Sequence, residues 1–170
     1  FNGDIVANEA LWSGGLCTAV ILLAVWLWKR GNTRAFLGLQ TARARQFLIW
    51  TGIFLLIAIA IEVLSHLFPA FQTDFMKQVI GSATNYVLLV IGVGLIGPLF
   101  EEFLLRGLLF GSIRHLVDEH VTVALTAGVF TLMHQQYEPA VIMLILPMGI
   151  VLGYARSRTG YIWVPVLLHV

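Results

Sequence analysis

The chain has 170 residues, 59% of them hydrophobic and 11% charged, with a mean hydropathy of +0.89, which excludes an ordinary soluble globular domain. Ten Lys and Arg stand against nine Asp and Glu, so the charge balance gives no case for a nucleic-acid partner. The lone cysteine, Cys17, excludes an internal disulfide and a multi-cysteine metal site, and reads as a lipid-facing or packing residue.

These bounds predict an all-α, polytopic transmembrane bundle in a single domain, residues 1–170. The apolar runs are too long and unbroken for the ~10-residue alternating strands of a membrane barrel. At ~20 residues per span the chain has room for about six spans plus interfacial helices. In chain order, a polar lead-in (1–9) precedes a span over 10–28, closed by Lys29 and Arg30 with Trp26 and Trp28 at the expected aromatic belt. Residues 32–46 mix Arg34, Arg43 and Arg45 with Phe36, Leu37 and Leu39, a pattern that suits a short helix in the headgroups or a plain connector. A second span over 47–68 stops at Pro69, and 70–84 reads as another interfacial helix or re-entrant loop. The third span, 85–114, is long, and Gly92, Gly94 and Gly97-Pro98 predict a kink or break within it. Spans over 120–136, 139–154 and 161–170 follow, the last as if trimmed in mid-helix. Lys29, Arg30, Arg34, Arg43, Arg45, Arg114, Arg156 and Arg158 then fall on one side of the membrane and Lys77 on the other. That basic side is expected to face the cytoplasm, in the cell membrane.

The third span carries Glu101, Glu102 and Arg106 among apolar residues. Ionisable groups at bilayer depth cost roughly 2.5 to 3.5 kcal/mol each on insertion scales, so they persist where they pair, face a polar cavity or do chemistry. Glu102 and Arg106 are spaced i,i+4 for an intrahelical ion pair, and Glu101, about 100° round the helix, is left over. Counting inward from the basic ends, Glu101 lies about 20 Å deep, His134 about 21 Å and His169 about 16 Å. Three ionisable side chains from three spans thus converge on one layer, whereas His115 and His120 belong to the rim. Glu62 and His66, also i,i+4, read as a separate pair near the outer interface. Glycines 107, 111, 128, 149 and 153 read as close helix contacts.

This set resembles the CPBP family, also called Abi, of intramembrane proteases, which includes CAAX prenyl endopeptidases and bacteriocin-processing or self-immunity proteins. The family pattern is E-E-x-x-x-R, then F-x-x-x-H, then H-x-x-x-N. Glu101, Glu102 and Arg106 match the first motif, Phe130 and His134 the second, and His169 the start of the third, whose fourth following residue lies beyond Val170. The resemblance implies an endopeptidase acting on a membrane-associated or lipid-modified peptide or protein. In it Glu101 and His134 activate water, Glu102 with Arg106 orients Glu101, and His169 stabilises the oxyanion. It also admits zinc on Glu101, His134 and His169, but the helical H-E-x-x-H signature is absent and the metal-free form is the expectation. A proton- or ion-coupled transporter, or a non-catalytic immunity or scaffold protein, stands as the alternative. The site is expected to lie in a conical cavity open to the cytoplasm, with His169 on the wall opposite Glu101 and His134, and Arg106 behind Glu102.

Overall fold

The computed structural model describes residues 2–170; Phe1, part of the expected lead-in, lies outside them. The described residues form eight helices and no strand: α1 Gly3–Trp28, α2 Thr33–Leu37, α3 Ala44–Leu67, α4 Phe75–Ser82, α5 Tyr86–Ile113, α6 Glu119–Leu132, α7 Pro139–Thr159 and α8 Trp163–His169. Four of them, α1, α3, α5 and α7, are long and apolar enough to cross a membrane. α6 is apolar but shorter, and α8 shorter still.

Several boundaries differ from the sequence expectation, each for a local reason. α1 begins at Gly3 because Asn2 caps it, its side chain accepting from the amides of Asp4 and Ile5, so most of the expected polar lead-in is helix. Asp4 in turn accepts from the amides of Thr84 and Asn85, which ties the start of α1 to the start of α5. Residues 33–37 do not float in the headgroups: Phe36 and Leu37 are buried against α1 and α5. Nor does α5 break at its glycines. It runs on through two π-helical stretches, Val90–Ile96 and Phe103–Leu109, and the amide of Gly97 reaches back five residues to the Gly92 carbonyl. The wide turn absorbs Pro98, which has no amide of its own to donate.

Gly92 sits where α1 and α5 touch. A Cβ there would collide with the carbonyl oxygen of Ala7, and backbone against backbone leaves nothing to rotate away. Gly92→Ala is therefore expected to cost about 1–3 kcal/mol through overpacking, read as a lower Tm in detergent with the helical signal intact. Gly149 and Gly153 likewise seat α7 against α6, where added carbons would meet Phe130 and Val123. Gly128 does not act this way: nothing lies within contact of it.

The helices share a common polarity of ends. At one end Trp28 meets Phe36, Phe36 covers Gly111, and Arg158 pairs with Glu119 at 2.7 Å. At the other, Gly3 meets Ser82 and Phe75 of α4 packs on Tyr137 at 5.2 Å between ring centroids. A buried cluster of Leu105, Phe130, Leu152, Ala155, Val164 and Leu168 binds α5 to α8 together. α6 has only 14 residues, about 21 Å, and it stops level with Glu101, which lies about 18 Å from the Ile113 end of α5. Residues 133–138 then turn back into α7, and Tyr137 in that turn meets Phe75 of α4.

Candidate active site

Glu102 and Arg106 are both fully buried and form the expected ion pair, Nη1 to Oε1 at 2.8 Å. The second Arg106 terminal nitrogen donates to the Gly149 carbonyl at 2.9 Å, so the guanidinium links α5 to α7. Its carbon lies 4.8 Å from the centroid of the Phe130 ring, a cation–π contact away from solvent. Phe130 organises the layer: its ring lies 4.7 Å from that of His134 and 5.3 Å from that of His169. The sequence pattern marked Phe130 without giving it this work.

His169 is not on an opposite wall. Its Nδ1 contacts Glu102 Oε1 at 2.9 Å and its Nε2 lies 3.9 Å from Glu101 Oε2, so one imidazole spans both carboxylates. His134 Nδ1 contacts the Phe130 carbonyl at 2.8 Å. A carbonyl can only accept, so Nδ1 of His134 carries the proton and the neutral ring keeps its Nε2 lone pair free. The carboxylate of Glu102 imposes the same tautomer on neutral His169. Glu101 Oε2 is buried without a hydrogen-bond partner, and 3.9 Å to His169 is too long for one. It is an acceptor left without a partner beside the His169 imidazole.

Tyr137, which the sequence reading did not single out, stacks on His134 at 6.1 Å and 20°. Burial and the nearby charge of Glu101 raise its pKa, which keeps the phenol a proton donor at neutral pH. Arg156 is a correction. Counted by sequence among the loop cations, it is fully buried because α7 continues to Thr159. Its Nε donates to the Arg106 carbonyl at 3.0 Å and a terminal nitrogen to the Phe36 carbonyl at 3.3 Å. The Phe110 amide bonds to the Leu105 and Gly107 carbonyls and passes over that of Arg106. Arg156 takes up the acceptor that the wide turn leaves.

A cavity of about 690 Å³ opens onto His134, Tyr137, Phe130 and His169. Phe54, Ala58 and Ile61 of α3 and Val141, Ile145 and Met148 of α7 form its apolar walls; Glu62, His66, Gln72 and Lys77 bring it to the end opposite the arginines. Two expectations change. Glu62 and His66 are not apart from the site but line its cavity. And its lining extends from His134 and His169 towards Gln72, Thr73 and Lys77 rather than towards the basic loops. Among the described residues no three His, Cys, Asp or Glu side chains gather closely enough to hold a metal ion. No step below is routed through a metal.

A family model described as "Type II CAAX prenyl endopeptidase Rce1-like" matches residues 82–170, which hold α5 to α8 and every residue of the cluster. Over 82 residues the chain is 26% identical to a Bacillus subtilis (strain 168) protein named "Putative membrane peptidase YdiL", covering 48% of this chain and 33% of that protein. The chain thus matches about one third of the length of that relative. No solved structure matches.

Proposed function

The chain belongs to the type II CAAX prenyl endopeptidase Rce1-like family, and on that premise we propose that it is an intramembrane endopeptidase that uses Glu101 to activate water. The observation that carries this reading is the unpartnered Glu101 oxygen, set beside His169. A general base has to keep a lone pair uncommitted until water arrives.

In the proposed reaction a water held by Glu101 and by Nε2 of His134 gives its proton to Glu101. The hydroxide adds to the scissile carbonyl carbon, and the carbonyl π electrons become the oxyanion. In its imidazolium form His169, held through Nδ1 by Glu102, hydrogen-bonds that oxyanion through Nε2–H. Collapse breaks the C–N bond and Glu101 returns the proton to the leaving amine. Arg106 fixes Glu102, and through it the ring of His169. The apolar walls of α3 and α7 suit a substrate with a hydrophobic segment or a lipid tail, drawn from the membrane.

The test is incubation of purified protein with acylated, prenylated and transmembrane peptides, with and without a chelator. Cleavage that survives the chelator within about twofold is expected. Loss of cleavage on chelation, restored by zinc, would overturn the metal-free mechanism. Proton flux across proteoliposomes without hydrolysis of any peptide would favour a transporter.

A further inference from the structure

A second hollow shares no lining residue with the cavity of the candidate site. Where the chain enters α3 it runs beside α8, and Ala42, Ala44 and Phe47 meet Trp163 and Leu167 around a groove of about 490 Å³, within the roughly 300–1,000 Å³ of ordinary ligand pockets. Its surface is almost wholly apolar. The Trp163 Nε1 is turned to the Leu39 carbonyl, to which it donates at 3.4 Å, and Thr41, exposed, adds the one hydroxyl of the lining.

Positive charge gathers beside this groove from two sources. Arg43 and Arg45 alternate in the chain with the lining residues Ala42 and Ala44, and both are exposed, with no ion-pair or hydrogen-bond partner among the described residues. α3 also begins here, a helix of 24 residues whose N-terminus no side chain caps, so its first amides and the positive end of its dipole add to the same spot. No acid nearby in the chain offsets this: between Glu9 and Glu62 there is no Asp or Glu, whereas Lys29, Arg30, Arg34, Arg43 and Arg45 all fall there. An apolar groove beside uncompensated cations, in a chain whose outer surface meets lipid, is complementary to a ligand with an apolar chain and a net negative head.

We propose that this groove holds one anionic phospholipid, with an acyl chain along Phe47 and Leu167 and the phosphate on Arg43, Arg45 and the first amides of α3. A zwitterionic lipid offers the same phosphate but brings its own ammonium among the cations, so net charge decides between them. The bound lipid backs α8, the helix that carries His169, but the site does not depend on the peptidase reading.

The test is native mass spectrometry of the detergent-solubilised protein titrated with dioleoylphosphatidylglycerol or dioleoylphosphatidylcholine. One bound phosphatidylglycerol is expected, held about 20-fold more tightly than phosphatidylcholine. Arg43→Gln/Arg45→Gln is expected to erase that preference, at about fivefold per arginine, the scale of one basic residue at an anionic surface, and to leave phosphatidylcholine binding unchanged. Arg30→Gln/Arg34→Gln, which removes as much charge outside the lining, is expected to keep the preference within about twofold. Ala44→Phe, which fills the groove, is expected to weaken both lipids. All five positions are exposed, so the variants are expected to keep the helical signal and Tm of the wild type. Equal binding of the two lipids, or a preference that survives the loss of Arg43 and Arg45, overturns the site. An equal loss in the Arg30/Arg34 variant assigns the effect to the general charge of that end, and retention untouched by Ala44→Phe takes the acyl chain out of the groove; either result overturns it as well.

Discussion

Glu101→Ala is expected to abolish peptide cleavage, by at least about 10³-fold, within the 10² to 10⁴ range of general-base contributions, and to leave the protein folded. The separation of effects follows from the contacts. Glu101 Oε2 holds up no neighbour: it has no hydrogen bond, and its approach to His169 is 3.9 Å. Removing it leaves the Arg106–Glu102–His169 chain intact and takes an ionisable group out of the bilayer, which on insertion scales is favourable rather than costly. Glu101→Gln keeps the shape and removes the base, and is expected to be as inactive. Extraction yield, Tm and initial rate on a cleaved substrate check all three points. A turnover within tenfold of wild type in either variant would remove Glu101 from the role of base.

What was legible in the chain and what was not divides along a physical line. Glu101, Glu102, Arg106, His134 and His169 stood out because charge inside apolar sequence demands a reason, and simple counting along the helices placed them in one layer. The i,i+4 spacing gave the Glu102–Arg106 pair directly. The make-up of the cavity wall was hidden, because it depends on how α6 turns into α7. The sequence stays largely apolar up to Met133 and has no Gly or Pro between Met133 and Pro139, and the turn over residues 133–137 arises as amides reach back three residues, from His134 to Thr131 and from Tyr137 to His134. The same local choice brings Tyr137 under His134 and opens the wall to Glu62 and His66. Arg156 was misplaced because a cation near the end of a span usually marks the loop. Its burial needs an acceptor, the Arg106 carbonyl, that exists only because α5 widens into a π-helical turn, and nothing in local spacing announces that turn.

The second large effect concerns the pair behind the base. Glu102→Ala is expected to destabilise the protein by about 3–5 kcal/mol, the cost of leaving a buried charge unpaired, since Arg106 is fully buried and would keep only the Gly149 carbonyl and the Phe130 ring. It also removes the acceptor that fixes the His169 tautomer. The two losses can be pulled apart by adding Arg106→Met, which fills much of the space with an apolar chain. Replacing both members of a buried ion pair by apolar residues is often neutral or stabilising, so the double variant Glu102→Ala/Arg106→Met is expected to regain most of the lost Tm. Activity is not expected to return, because His169 would still lack its hold on Nδ1. A double variant that recovered both stability and turnover would show that the pair serves the fold alone, and one that recovered neither would place its contribution in the Gly149 and Phe130 contacts of Arg106 instead.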